Sequence, residues 1–81
     1  MNKIIEWLYD HPGVHILFYR SSISSLVEIE MDNGYECSDN GGSIKHTVSS
    51  LISLDVPEVE DRIINILDNS YAKLRSLKMN N

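Results

Sequence analysis

A single cysteine, Cys37, occurs in the 81 residues of this chain, which excludes an intramolecular disulfide and every cysteine-rich metal framework. A reducing compartment is the economical expectation, and with it a cytoplasmic location. Long apolar runs are missing as well. Nothing approaches the ~20 residues needed to span a bilayer, and Glu6 and Asp10 interrupt the N-terminal apolar positions, so no signal peptide is expected. Repeats, linkers and low-complexity tracts are absent. The two prolines and four glycines fall at turn signals, and one domain is expected over residues 1–81. Apolar residues make up 42% of the chain and charged residues 23%, which is ordinary for a folded domain and argues against disorder.

Positive charge is missing from one region in particular. Residues 21–44 contain five acids, Glu28, Glu30, Asp32, Glu36 and Asp39, and no lysine or arginine. The whole chain has 12 acids and 7 bases, so the other seven acids balance the seven bases and this segment accounts for the formal charge of −5. Net negative charge opposes direct contact with nucleic acid or an anionic membrane and favours a basic protein partner.

Read in order, residues 2–11, NKIIEWLYDH, form a short helix with Asn2 as N-cap. Ile4, Ile5, Trp7 and Leu8 lie towards one side, and Pro12-Gly13 ends the helix. Three turns are too few to be stable alone, so this helix must dock, with Trp7 as anchor. Residues 14–20, VHILFYR, read as the strongest strand. Both of its rows (Val14, Ile16, Phe18 and His15, Leu17, Tyr19) are largely apolar, which predicts a central position with cover on each face. Residues 43–54 fit either a helical face or a strand, and a short fourth strand at 43–49 is the favoured reading. Residues 55–78 carry a long helix: Asp55 and Glu58 resemble a capping box around Pro57. Val59, Ile63, Ile66, Leu67, Ser70, Tyr71, Leu74 and Leu77 then recur at three- and four-residue spacing. Acids at its start and bases at its end complement the helix dipole.

The segment 25–40, SLVEIEMDNGYECSDN, reads as a β-hairpin. Val27, Ile29 and Met31 alternate with Glu28, Glu30 and Asp32, and Tyr35 and Cys37 resume the alternation. A three-residue loop, Asp32-Asn33-Gly34, would place Met31 opposite Tyr35 and Ile29 opposite Cys37, giving both strands one apolar face. Glu30 and Glu36 would then face each other, with Glu28 beside them. The expected architecture is α+β: a short N-terminal helix, a three- or four-stranded antiparallel meander, and a long C-terminal helix packed on one face. Because that helix does not cover both rows of strand 14–20, a homodimer is a reasonable further expectation.

Catalytic chemistry is not expected. His11 and His15 are four residues apart, but Pro12-Gly13 separates them, so they do not form a helical zinc pair. His15 reads as a packed or edge histidine, and Cys37 as a small core residue, since no flanking base or helix N-terminus activates it. An enzyme using His46 and Cys37 would need those two side chains in one pocket. The Asp-Asn-Gly turns lack the distant glutamate of a calcium loop, and Gly41-Gly42 lacks phosphate-loop spacing. No metal or cofactor is therefore expected. A carboxylate-bearing hairpin can instead imitate a phosphate backbone and occupy a basic channel. The alternative is a solvated strand face whose charges prevent edge-to-edge aggregation.

The SSISSLVEIEMDNGYECSDN segment, the Met-Asn start of the first helix and the acids around the hairpin resemble features of small acidic phage and mobile-element proteins. Among these the layout is similar to that of anti-CRISPR inhibitors that occupy the DNA-recognition site of Cas9. The resemblance implies a non-enzymatic protein that inhibits a nucleic-acid-binding host protein from within the host cytoplasm. The charge count makes Glu28, Glu30, Asp32, Glu36 and Asp39 the candidate partner-binding residues. The second reading is a self-associating structural or regulatory subunit without nucleic-acid mimicry.

Overall fold

A computed structural model of the chain describes residues 2–32 and 46–79, with side chains as far as Ser76. Helix α1 (Lys3–Asp10) is followed by strands β1 (His15–Arg20), β2 (Leu26–Asp32) and β3 (Thr47–Ser53), and by the long helix α2 (Val59–Met79). The strands form one antiparallel sheet in the order β1-β2-β3. This is the expected α+β layout, with three strands among the described residues.

The N-cap of α1 is the expected one. The Asn2 side-chain oxygen accepts from the Ile4 N–H at 2.8 Å, satisfying a donor that has no partner within the helix. Gly13 then turns the chain with φ +91°, a conformation open to glycine at little cost. Docking occurs on α2 rather than on the sheet. Trp7 is buried, and its indole N–H donates to Asp68 Oδ1 at 2.8 Å, so the anchor carries a satisfied polar group into the contact. Ile4 and Leu8 are half-buried beside it, whereas Ile5 remains exposed.

Two sequence expectations about the sheet are corrected. Among the described residues the central strand is β2, and β1 lies at an edge. The helix backbones approach β2 and β3 but not β1, so Leu17, Phe18 and Tyr19 stay exposed although Val14 and Ile16 reach the core. Two apolar rows made β1 look central, but the centre belongs to the strand that can hydrogen-bond on both edges beneath α2. The hairpin register also differs. Met31 pairs with Ile16 on one side and Val48 on the other, Ile29 with Phe18 and Ser50, and Glu30 with Leu17 and Ser49. Tyr35, Glu36 and Cys37, the expected partners of Met31, Glu30 and Ile29, lie outside the described residues, and among the described residues both edges of β2 are occupied by β1 and β3. The more distant β3 wins because Val48 and Ile52 extend the apolar row of β2 directly beneath α2. Of the strand expected at 43–49, residues 43–45 lie outside the described residues, and 47–49 open β3, which runs on to Ser53.

Helix α2 begins at Val59, after a turn, so the Asp55–Glu58 capping box is also corrected. Glu58 has φ 53°, the left-handed region, and its carbonyl accepts from the Arg62 N–H at 3.1 Å. The Asp55 N–H is bound by the Ser53 hydroxyl at 3.2 Å, and Arg62 Nε donates to the Pro57 carbonyl at 2.9 Å. The reversal from β3 into α2 thus uses residues 54–58 as a tight connection, which leaves no room for an extra helical turn. Beyond it the expected stripe holds as far as the described side chains reach: Ile63, Leu67, Ser70 and Leu74 are buried, with Val59, Ile66 and Tyr71 packed at the margin, and Leu77 lies outside them. They close over Val27, Ile29, Met31 and Ile52 to make the core.

Candidate functional site

Direct neighbours in an antiparallel sheet share a face, so the register sorts every strand residue. Val27, Ile29 and Met31, together with Ile16, Phe18, Val48 and Ile52, point to the α2 side. The opposite, open face carries three cross-strand rows. These are His15–Asp32–Thr47, Leu17–Glu30–Ser49 and Tyr19–Glu28–Leu51, with Leu26 beside Ser53 completing the end. No lysine or arginine belongs to this face among the described residues.

The open face is unusually apolar for a solvent side. Leu17, Tyr19 and Leu51 are 59%, 61% and 66% exposed, and Leu26 is exposed as well. They surround Glu28, which is exposed, and Glu30, which is half-buried. The strand rise separates these two carboxylates by about 7 Å. Their mutual repulsion is about 0.6 kcal/mol in bulk water and about 2 kcal/mol at an effective dielectric near 20. Excluding water from this face therefore strengthens its demand for a cation. A guanidinium or ammonium with an aliphatic stem meets both needs, with the charge over the glutamates and the stem on leucine. Tyr19 adds an aromatic face on which a guanidinium can stack.

The five candidate acids part company here. Glu28 and Glu30 lie together on the open face. Asp32 ends the same row but is only 7% exposed, and its Oδ1 lies 3.6 Å from His15 Nδ1 across the strand pair. Its place is in the sheet end rather than on an accessible surface. Glu36 and Asp39 lie outside the described residues, as does Cys37, the proposed companion of His46. His15 is indeed an edge-strand residue, with its side chain about half exposed. His11 sits at the C-cap of α1: its ring stacks on Trp7 at a centroid distance of 3.8 Å and its Nδ1 lies 2.7 Å from the Trp7 carbonyl. Tyr71 meets both rings edge-on.

Sequence reasoning missed Leu17, Tyr19, Leu26 and Leu51 as surface residues. Two apolar rows predict cover for Leu17 and Tyr19, and Leu51 falls on the helical alternative for residues 43–54. The available signal was the neighbour Ile52: on a strand, consecutive residues point to opposite faces, so a buried Ile52 forces Leu51 outward.

The described residues contain no group of three or more His, Cys, Asp or Glu side chains able to hold a metal ion. None of their helices is long and apolar enough to cross a membrane. Comparison with family models, with curated proteins and with solved structures finds no match to the chain.

Proposed function

We propose that this is a non-enzymatic binding protein whose open sheet face engages a basic protein surface. The observation that carries the reading is the pair Glu28 and Glu30 set among exposed Leu17, Tyr19, Leu26 and Leu51, with no lysine or arginine on the same face among the described residues. The mixture matters. Imitation of a phosphate backbone calls for a carboxylate strip, whereas alternating carboxylate and leucine suits cations carried on apolar stems. A basic, nucleic-acid-binding host protein is the partner class implied by the resemblance to phage inhibitors, and the chemistry of this face is compatible with it.

The test uses an arginine- and leucine-containing peptide titrated into the isotopically labelled full chain. Amide shifts should concentrate at Leu17, Tyr19, Glu28, Glu30 and Leu51 and weaken as salt is raised. Changing Glu28 and Glu30 together to Gln should abolish them. Shifts spread evenly over the acidic positions of α1 and α2, or unchanged in the double variant, would remove this face as the site.

A further inference from the structure

We propose that the β1 edge of the sheet is a self-association site, where a second copy of the chain adds its own β1 antiparallel and extends the sheet to six strands. Among the described residues β1 pairs with β2 alone, so the outer side of residues 16–20 has no strand partner among them and can serve as a hydrogen-bonding template. Natural edges are usually blunted by lysine, proline, a bulge or a covering helix. The segment His15–Arg20, HILFYR, has no lysine, proline or acid, its one formal charge is the terminal Arg20, and no helix backbone approaches it. Apolar side chains emerge on both of its faces: Leu17 and Tyr19 on the open side, and Phe18, 41% exposed, on the α2 side.

The occupant follows from the pattern and from the charge. A two-fold axis through Leu17 sets Leu17 against its own copy, Ile16 against Phe18, His15 against Tyr19 and Val14 against Arg20. Every pair then shares a face, as antiparallel pairing requires, and Ile16 with Phe18 prolongs the core row twice. A foreign strand must bring this alternation, whereas a second copy has it by identity. A protein of formal charge −5 also meets its copy most cheaply along an acid-free strand that ends in an arginine. The opposite edge is less suited: β3 presents Thr47, Ser49, Ser50 and Ser53 with Leu51 as its one exposed apolar side chain, and its Val48 and Ile52 are already used beneath α2.

The geometry has a functional corollary. Three strand spacings, about 14 Å, would separate β2 from its copy, so two Glu28–Glu30 pairs would flank a shared apolar strip of Leu17 and Tyr19. The assembly itself does not depend on what the open face binds.

Molar mass measured by light scattering over a concentration series tests the proposal. The purified chain should be a dimer at tens of micromolar. Phe18→Lys, which leaves the open face intact, should raise the dimer dissociation constant about tenfold or more. A second measurement does not depend on how that variant folds. In a Cys37→Ser background, Leu17→Cys should cross-link to its own copy, since directly opposed Cβ atoms lie about 4.5–5.5 Å apart. Leu51→Cys, equally exposed but on the far strand, should not. A chain that stays monomeric at hundreds of micromolar overturns the proposal. A dimer that cross-links through position 51 also overturns it, as does a purified monomer that pairs only with a foreign strand. The Glu28→Gln, Glu30→Gln variant should remain dimeric, so loss of peptide binding and loss of the dimer are read separately.

Discussion

On the α2 side of the sheet, Val27, Ile29, Met31 and Ile52 are buried, while on the other side Leu17, Tyr19, Leu26 and Leu51 remain in solvent. The residue types are nearly the same, so apolar character alone does not decide which are covered. Helix α2 has one apolar stripe and lies over β2 and β3, and α1 packs on α2 rather than on the free side of the sheet. One layer of helices therefore supplies one buried face. The apolar residues of the second face are available for intermolecular contact, and it is there that Glu28 and Glu30 are found.

The sharpest way to break this comparison is to truncate one residue on each face. Ile29→Ala, at a fully buried position, should cost about 3–4 kcal/mol in urea denaturation. Leu51→Ala should cost under about 0.5 kcal/mol. A domain of this size is stable by only about 4–12 kcal/mol, so the first change threatens folding and the second does not. Equal losses at the two sites would show that the open face is covered in the folded chain.

A smaller effect tests how the helical layer is joined. Asp68→Ala removes the acceptor of the Trp7 indole N–H and should destabilise by about 1–2 kcal/mol, with a change in tryptophan fluorescence. An unchanged spectrum would mean that α1 docks without this bond. On the open face the sign should reverse. Glu28→Gln with Glu30→Gln relieves repulsion and should raise stability by a few tenths to about 1 kcal/mol, visible as a higher urea midpoint that converges with wild type at high salt.

The smallest effect concerns Lys3, which bonds Asp61 across the α1–α2 contact. The hydrogen bond and the charge of Asp61 raise the Lys3 pKa above its usual 10.5. The folded chain therefore favours the ammonium form. Its contribution is fully present below pH 10.5 and is lost as pH rises through the elevated value. Both groups are about half exposed, so solvent screening keeps the effect small. Melting temperatures of wild type and Lys3→Met should differ slightly at pH 9 and converge once the pH has risen through the elevated Lys3 value. A constant difference would point to the lysine stem rather than its charge.

Much of the fold was legible because it rests on local chemistry. Asn2 as cap, Trp7 as anchor and the Ile63–Leu67–Ser70–Leu74 stripe depend on spacings within one helix. Strand pairing was less legible, since the Asp-Asn-Gly turn signal suggested a return at Tyr35 and Cys37. The actual partner of β2 is chosen by which apolar row fits beneath α2, and no short window contains that information. The candidate site was half legible for the same reason. Alternation put Glu28 and Glu30 on one face, but neither it nor the charge count could show that Asp32 is buried beside His15, or that Leu51 would stand next to Glu28.

By itself the sequence determined the helices, the period-two strands and the concentration of unbalanced negative charge, because propensity, capping and periodicity act over a few residues. Only the tertiary structure decided which strand is central, which apolar residues are left in solvent and which acids they surround. Those outcomes depend on β2 finding a partner on each edge and on a single helix stripe wide enough to cover only one face of the sheet.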